Sequence, residues 1–164
     1  MSKLHKNNLY NILLSLSRNI FFYKKTRLPD TFETRLYLMF IHFSILMIIY
    51  KYKGSKLDQK SYDFFFHNIE YNLRELGFGD VSVNKKMKEF NKIMYDILLK
   101  LNLENKSNNK FKINHALILK YFDVLKDAKS KEFMLFESYF TKFFHFCFEL
   151  PLVNMIEGAL KFRN

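Results

Sequence analysis

Residues Leu73-Arg-Glu-Leu-Gly-Phe-Gly-Asp-Val-Ser-Val83 place two of the chain's four glycines between two strongly helical patterns, which forces a tight corner at one defined point. Upstream of it, Tyr62, Phe65, Phe66, Ile69, Leu73 and Leu76 recur at helical spacing. Gly77 then stands where a helix C-terminus takes a left-handed residue, so the spacing predicts a helix over about residues 57–76. Gly79 and Asp80 read as the turn and Ser82 as the N-cap of the next helix. That helix carries Met87, Phe90, Met94, Ile97 and Leu101 at alternating steps of three and four, one clean apolar seam.

The same periodicity predicts an all-α fold, a single bundle-like domain over residues 1–164 with about six helices. Leu9, Ile12, Leu13, Leu16, Ile20 and Phe21 mark the first, which dissolves into Lys24, Lys25 and Arg27 before Pro29. Asp30 and Glu33 have the spacing of a capping box and launch an apolar helix that runs to about Tyr52, where Gly54 stops it. Residues 36–50 are interrupted only by His42 and Ser44. At about 1.5 Å per residue they cover roughly 22 Å, short of the ~30 Å hydrocarbon thickness, so a buried helix is expected and interfacial association stays open. A polar loop over about residues 102–112, centred on Asn105-Lys-Ser-Asn-Asn-Lys110, has nothing to bury. Beyond it, Leu117, Tyr121, Phe122 and Leu125 indicate one helix and Phe133, Phe136, Phe140, Phe143, Cys147 and Leu150 another. Pro151 ends that run, and a short final helix over residues 152–162 is weakened by Gly158.

A chain of 164 residues fits one domain, and folding at this size buries about 70% of the extended surface. The formal charge of +11 favours anionic partners such as ribosomal RNA or acidic lipid head groups. Richness in Lys, Asn, Ile, Phe and Tyr, with few arginines, also fits a biased base composition, which would make part of that charge compositional. The single Cys147 excludes an intramolecular disulfide and reads as a small core residue. Lys3, His5, Lys6 and two asparagines in the first ten residues replace the apolar core that a secretory signal needs, so a reducing compartment is expected.

Two helices carry more apolar surface than a one-sided core contact uses. On a wheel turning about 100° per residue, Asp63, His67, Glu70 and Arg74 form a narrow polar ribbon. Tyr62, Phe66 and Ile69 lie on one flank of it, Phe64 and Tyr71 on the other. The later aromatic helix repeats the arrangement, with Ser138, Thr141, Lys142, His145 and Glu149 interrupting the rings. Such helices sit centrally in a bundle or meet a partner. The ribbon offers His67-x-x-Glu70 once, the reverse of the Glu-x-x-His order of di-iron bundles, and His5, His42, His115 and His145 lack a carboxylate at that spacing. A degenerate di-iron enzyme is therefore the weakest reading. No dinucleotide loop, phosphate loop, nucleophile elbow or Cys-x-x-Cys pair is present. The cluster Lys85, Lys86 and Lys88 opens a helix, where cations oppose the macrodipole, a mild misfit that hints at a role.

The corner motif, followed by Lys85-Lys86-Met87-Lys88 and preceded by Asp30-Thr-Phe-Glu-Thr-Arg35, resembles the ubiquinol-cytochrome c chaperone family over about residues 29–95. After the position of Tyr95 that family continues with a Gly-Arg pair; Asp96-Ile97 stand here, so no role of the pair transfers. The resemblance implies an all-helical, non-enzymatic assembly factor for respiratory complex III that accompanies newly made cytochrome b. Expected partners are nascent cytochrome b, the ribosome, a small companion protein and a peripheral membrane contact, with no DNA and no cofactor. The expected location is cytoplasmic or peripheral at the inner membrane, on the matrix side in a eukaryote. Candidate partner-binding residues are Arg35, Phe64, Tyr71, Arg74, Glu75, Asp80, Lys85, Lys86 and Lys88. Asp30, Gly77 and Gly79 shape the corner, and no catalytic residue or metal ligand is assigned. A basic helical module that binds RNA or an acidic membrane surface is the alternative function.

Overall fold

The most apolar stretch of the sequence becomes the centre of the molecule. The computed structural model describes residues 2–106 and 110–164, with side chains from Asn8 onward. Its helices are α1 (Ser2–Ser17), α2 (Ile20–Lys24), α3 (Phe32–Tyr52), α4 (Gln59–Glu75), α5 (Asp80–Glu104), α6 (His115–Tyr121), α7 (Lys131–Phe148) and α8 (Leu152–Ala159), with a 3-10 turn at Asp123–Leu125. No strand occurs among the described residues, so the fold is all-α.

α3 is apolar all round because it has neighbours all round. It packs on α1, α5, α7 and α8, and its Phe40 and Phe43 stack against Phe65, Phe66 and Tyr62 of α4. By length and composition it could cross a membrane, but 72% of its most apolar window is buried inside the protein. A helix hydrophobic on every side is stable in water only when enclosed in this way. Deleting one fully buried ring, such as Phe43, costs about 3–5 kcal/mol through lost transfer energy and the cavity left behind.

Local chemistry moved four boundaries from their sequence-based positions. The first apolar run is two helices, since the Asn19 side chain accepts from the Phe21 N–H at 3.0 Å and caps α2 as a new start. Asp30 does not cap α3: Thr31 does, accepting from the Thr34 N–H at 3.2 Å, while Asp30 is drawn into an ion pair with Arg35. α5 begins at Asp80, with Gly79 as a cap residue that makes no side-chain bond, so Ser82 lies inside the first turn and caps nothing. The fifth predicted helix ends at Tyr121 and passes into the 3-10 turn.

The polar loop also departs from expectation. Ser107, Asn108 and Asn109 lie outside the described residues, but Asn105 is buried and pins the two ends together. Its amide donates to the carbonyls of Leu101 and Lys112 at 2.7 and 2.8 Å and accepts from the Lys112 N–H at 2.8 Å. Phe111 is then inserted beside Phe144 of α7, with ring centroids 4.8 Å apart. Farther along, Lys53 closes the C-terminal end of α7 by donating to the carbonyls of Phe148 and Leu150 at 2.5 and 2.9 Å.

Asp96 occupies the position where the sequence departs from the family pattern, and it ties α5 to α6. It accepts from Tyr121 at 2.5 Å and Lys120 at 3.1 Å and pairs with Lys100 at 2.9 Å. Partial burial pushes its carboxyl pKa up, but these three donors outweigh that and hold it at about 2. Ile97 beside it is fully buried in the core.

Among the described residues, His42 is the one buried imidazole. Its Nδ1 lies 2.6 Å from the Leu38 carbonyl, which can only accept, so Nδ1 carries the proton and Nε2 accepts from the Tyr139 hydroxyl at 2.9 Å. Rings of Phe22, Phe140 and Phe143 surround it. Complete burial pushes its pKa down to about 3, against the weaker upward pull of the Leu38 carbonyl. The unfolded chain takes a proton on His42 below about pH 6.5 that the folded chain refuses until about pH 3. Folding stability therefore falls as pH drops through that window, by up to about 1.4 kcal/mol per pH unit. Denaturant melts across pH 4.5–6.5 (about the span above Asp96 titration) should show this slope, and the double variant His42→Leu with Tyr139→Phe should flatten it.

Candidate functional site

The glycine corner is a rigid turn. α4 ends in a Schellman arrangement: the Gly77 N–H donates to the Arg74 carbonyl at 3.0 Å and the Phe78 N–H to the Leu73 carbonyl at 3.3 Å. Gly77 supplies the left-handed conformation this needs, with φ of +97°. Across the turn Arg74 pairs with Asp80 at the start of α5 and with Glu70 at 3.1 Å, one turn back on α4. Arg74 and Asp80, two of the candidate partner-binding residues, are thus paired with each other. The Asp30–Arg35 pair shares no hydrogen-bond partner with this network. Tyr71 is exposed, and its hydroxyl bonds to Glu75 on the same helix, which raises the phenol pKa.

The lysine cluster divides between two faces. Lys86 turns to the corner and sets its ammonium 4.8 Å from the centre of the Phe78 ring. Lys85 and Lys88 point outward and are joined by Lys92 around a shallow depression with Val81, Asn84 and Glu89. Because α5 starts at Asp80, these cations stand beyond its first turn, and the opposition to the macrodipole expected from sequence is largely absent.

α5 presents two faces of different fate. Phe90, Met94, Ile97 and Leu101 are buried against α3 and α4, as the spacing predicts, while Met87 of the predicted seam is half-buried and Val83, not predicted, is buried. At about 100° per residue, Val81, Lys85, Lys88, Lys92, Tyr95, Leu99 and Leu103 all fall within an arc of about 80° on the opposite side. The last three are large apolar groups left 60%, 57% and 52% exposed. None of them was singled out from sequence, although their steps of four form a second stripe directly across the helix from the core seam.

Beside that stripe a cavity of about 460 Å³ opens between α3, α4 and α5. Met47, Ile48, Leu57, Tyr62, Tyr95 and Leu98 line it, with Lys51 and Lys56 at its rim. Tyr95 belongs to both the cavity and the exposed stripe, so the two are continuous. Burial and the neighbouring Tyr95 raise the pKa of Tyr62, which keeps the Tyr62 phenol neutral in this pocket.

The aromatic faces predicted for α4 and α7 are mostly interior. Phe133, Phe136, Phe140 and Phe143 are fully buried, because α7 packs against both α3 and α8 and receives Phe22 and Phe162 between them. Cys147 lies in the same core, where burial pushes its thiol up to about 12. On α4, Phe65 and Phe66 are buried, Phe64 is half-buried and Tyr71 is exposed. The ribbon residues between them are engaged locally: Asp63 accepts from Gln59 at 2.9 Å and Glu70 from Arg74. Among the described residues no three His, Cys, Asp or Glu side chains converge.

A family model described as ubiquinol-cytochrome C chaperone matches residues 24–118, more than half of the chain and wider than the stretch that carries the motifs. The match spans α3, α4, the corner and α5, and hence the exposed stripe and the cavity. No curated protein and no solved structure matches the chain.

The two corner glycines differ in what they require. A Cβ at either meets nothing within 4 Å, so only the backbone decides. Gly77→Ala forces an L residue into left-handed backbone and should cost about 1–2 kcal/mol. Gly79, with φ of −79° and ψ of 171°, is in extended backbone, and Gly79→Ala should stay within about 0.5 kcal/mol of wild type. Urea midpoints at constant slope measure both.

Proposed function

The chain belongs to the ubiquinol-cytochrome c chaperone family, and we propose that it serves assembly of respiratory complex III by holding newly made cytochrome b on the outer face of α5, without catalysis. The observation that carries this reading is the exposed apolar stripe Tyr95, Leu99 and Leu103 running into the Met47–Leu57–Leu98 cavity, inside the family-matched residues. A polytopic membrane subunit leaving the ribosome exposes apolar helices that water does not tolerate. An exposed helical stripe at spacing i, i+4, i+8 beside a groove suits an apolar helix laid alongside it.

Magnitudes favour a transient hold. Each of the three side chains is already close to half covered, so a client that covers the rest gains about 1–2 kcal/mol from each. With the cavity contributing a similar total, the gross gain is about 6–12 kcal/mol, and association losses of at least about 4 kcal/mol leave a hold that is micromolar at its tightest and weaker otherwise. A client bound at that strength is shielded and still able to leave when its haem and its partner subunits arrive.

Binding through α5 makes the aliphatic and phenolic stripe, and not the ring-rich α7, the functional surface. Replacing Tyr95, Leu99 and Leu103 together by Ser should lower the unfolding free energy by no more than about 2 kcal/mol and leave the chain folded, because the positions are more than half exposed. The same variant should lower assembled complex III and its b-type haem as far as deletion of the gene does, with unrelated respiratory complexes unchanged. Normal complex III in cells carrying a folded triple variant would overturn the proposal.

A further inference from the structure

We propose that the α4–α5 corner and the lysine row beside it dock this protein on an acidic lipid bilayer, with Leu76, Phe78 and Val81 entering the head-group layer and Lys85, Lys88 and Lys92 meeting lipid phosphates. Three observations carry it. The corner leaves Leu76 61% and Val81 84% exposed at its outermost point, with Phe78 beside them. These groups stand on a turn already fixed by the two Schellman hydrogen bonds, by the Arg74–Asp80 pair and by the Lys86 ammonium over the Phe78 ring. Inserting them therefore orders nothing that was loose, so little conformational freedom is lost on binding.

The cations are arranged to follow. Val81, Lys85, Lys88 and Lys92 occupy one arc of α5 and span roughly 16 Å at 1.5 Å per residue. Among the described residues none of the three lysines takes part in an ion pair, whereas Arg74 is neutralised by Glu70 and Asp80. Glu89 is the one carboxylate at the edge of the depression they line. Long lysine stems reach phosphate while an apolar tip sits deeper, the division of labour seen in interfacial helices.

Charge complementarity alone would admit a nucleic acid, and the apolar tip decides between the two. Nucleic-acid grooves draw affinity from stacked aromatics and phosphate contacts. Leu76 and Val81 stack on nothing, and the Phe78 ring is occupied by Lys86. Aliphatic side chains at the end of a basic row gain from hydrocarbon, which only the bilayer supplies. Tyr95 lies about 21 Å along α5 from Val81 and on the same arc, so a docked lysine row places the proposed client stripe at the membrane surface.

The test uses the full chain and flotation with vesicles of phosphatidylcholine alone or mixed with phosphatidylglycerol. Wild type should bind the acidic vesicles about tenfold more tightly than the neutral ones and lose that preference in high salt. The pair Leu76→Ser with Val81→Ser, and separately Lys85→Gln, Lys88→Gln and Lys92→Gln, should each weaken binding by about tenfold. Equal binding to neutral vesicles, no binding, or binding untouched by the Leu76 and Val81 pair would overturn the proposal. In the last case, capture of RNA that depends on the lysines alone would assign the row to nucleic acid. A readout that does not rely on lost binding is the Val81→Cys variant labelled with an environment-sensitive dye, since buried Cys147 stays unlabelled. Its emission should shift to the blue on acidic vesicles, and an unchanged spectrum on bound vesicles would likewise reject insertion. No arm contains a client, so these outcomes are independent of the chaperone assignment.

Discussion

Everything in this molecule is arranged around the enclosure of α3. A 21-residue helix with 13 buried side chains has no face to offer water, so the rest of the chain must wrap it. α1, α5, α7 and α8 supply that wrapping, with the α4 rings filling the remaining side. The arrangement also explains a buried polar pair. His42 and Tyr139 satisfy each other across the α3–α7 contact, which fixes how the two helices face in a core otherwise made of interchangeable rings. Such a pair adds little net stability but penalises a shifted packing, because either group left alone would be buried without a partner.

α5 is the helix in which enclosure is incomplete. Its inner seam closes the core, and the opposite face carries apolar groups left more than half exposed among the described residues. That face runs from the aliphatic corner through the lysine row to Tyr95, Leu99 and Leu103. An exposed stripe of this kind raises the risk of self-association unless something covers it. The corner keeps the stripe in register: Gly77 ends α4 where it must, and Arg74 bridges to Asp80 so that α5 leaves at one angle. The family motif is thus explained largely by backbone geometry, and the neighbouring side chains carry the contacts outward.

Much of the fold was legible in the sequence because helical periodicity and glycine placement are local signals. The end of α4, the core seam of α5 and the buried nature of residues 36–50 all followed from spacing. What escaped were competitions between equally plausible side chains: Thr31 rather than Asp30 as the cap of α3, Asn19 as a new start, and Gly79 rather than Ser82 before α5. Asn105 looked like loop and is a buried clamp, since its partners at Leu101 and Lys112 exist only once the chain has turned back. The candidate surface was the hardest to read. A wheel reports that a ring is on a flank, but whether another helix covers that flank depends on packing that periodicity does not encode. It therefore favoured the aromatic α7, which α3 and α8 enclose, and passed over the sparser stripe on α5, which stays more than half exposed among the described residues.

The central claim is that a client meets the outer face of α5. The direct measurement is site-specific photo-crosslinking in translating cells from a probe at Leu99, with a second probe at Val153, an exposed residue of α8 outside the family-matched residues. The account predicts that the Leu99 probe captures cytochrome b and that the Val153 probe does not. A silent Leu99 probe, or capture of cytochrome b from Val153 alone, would contradict it.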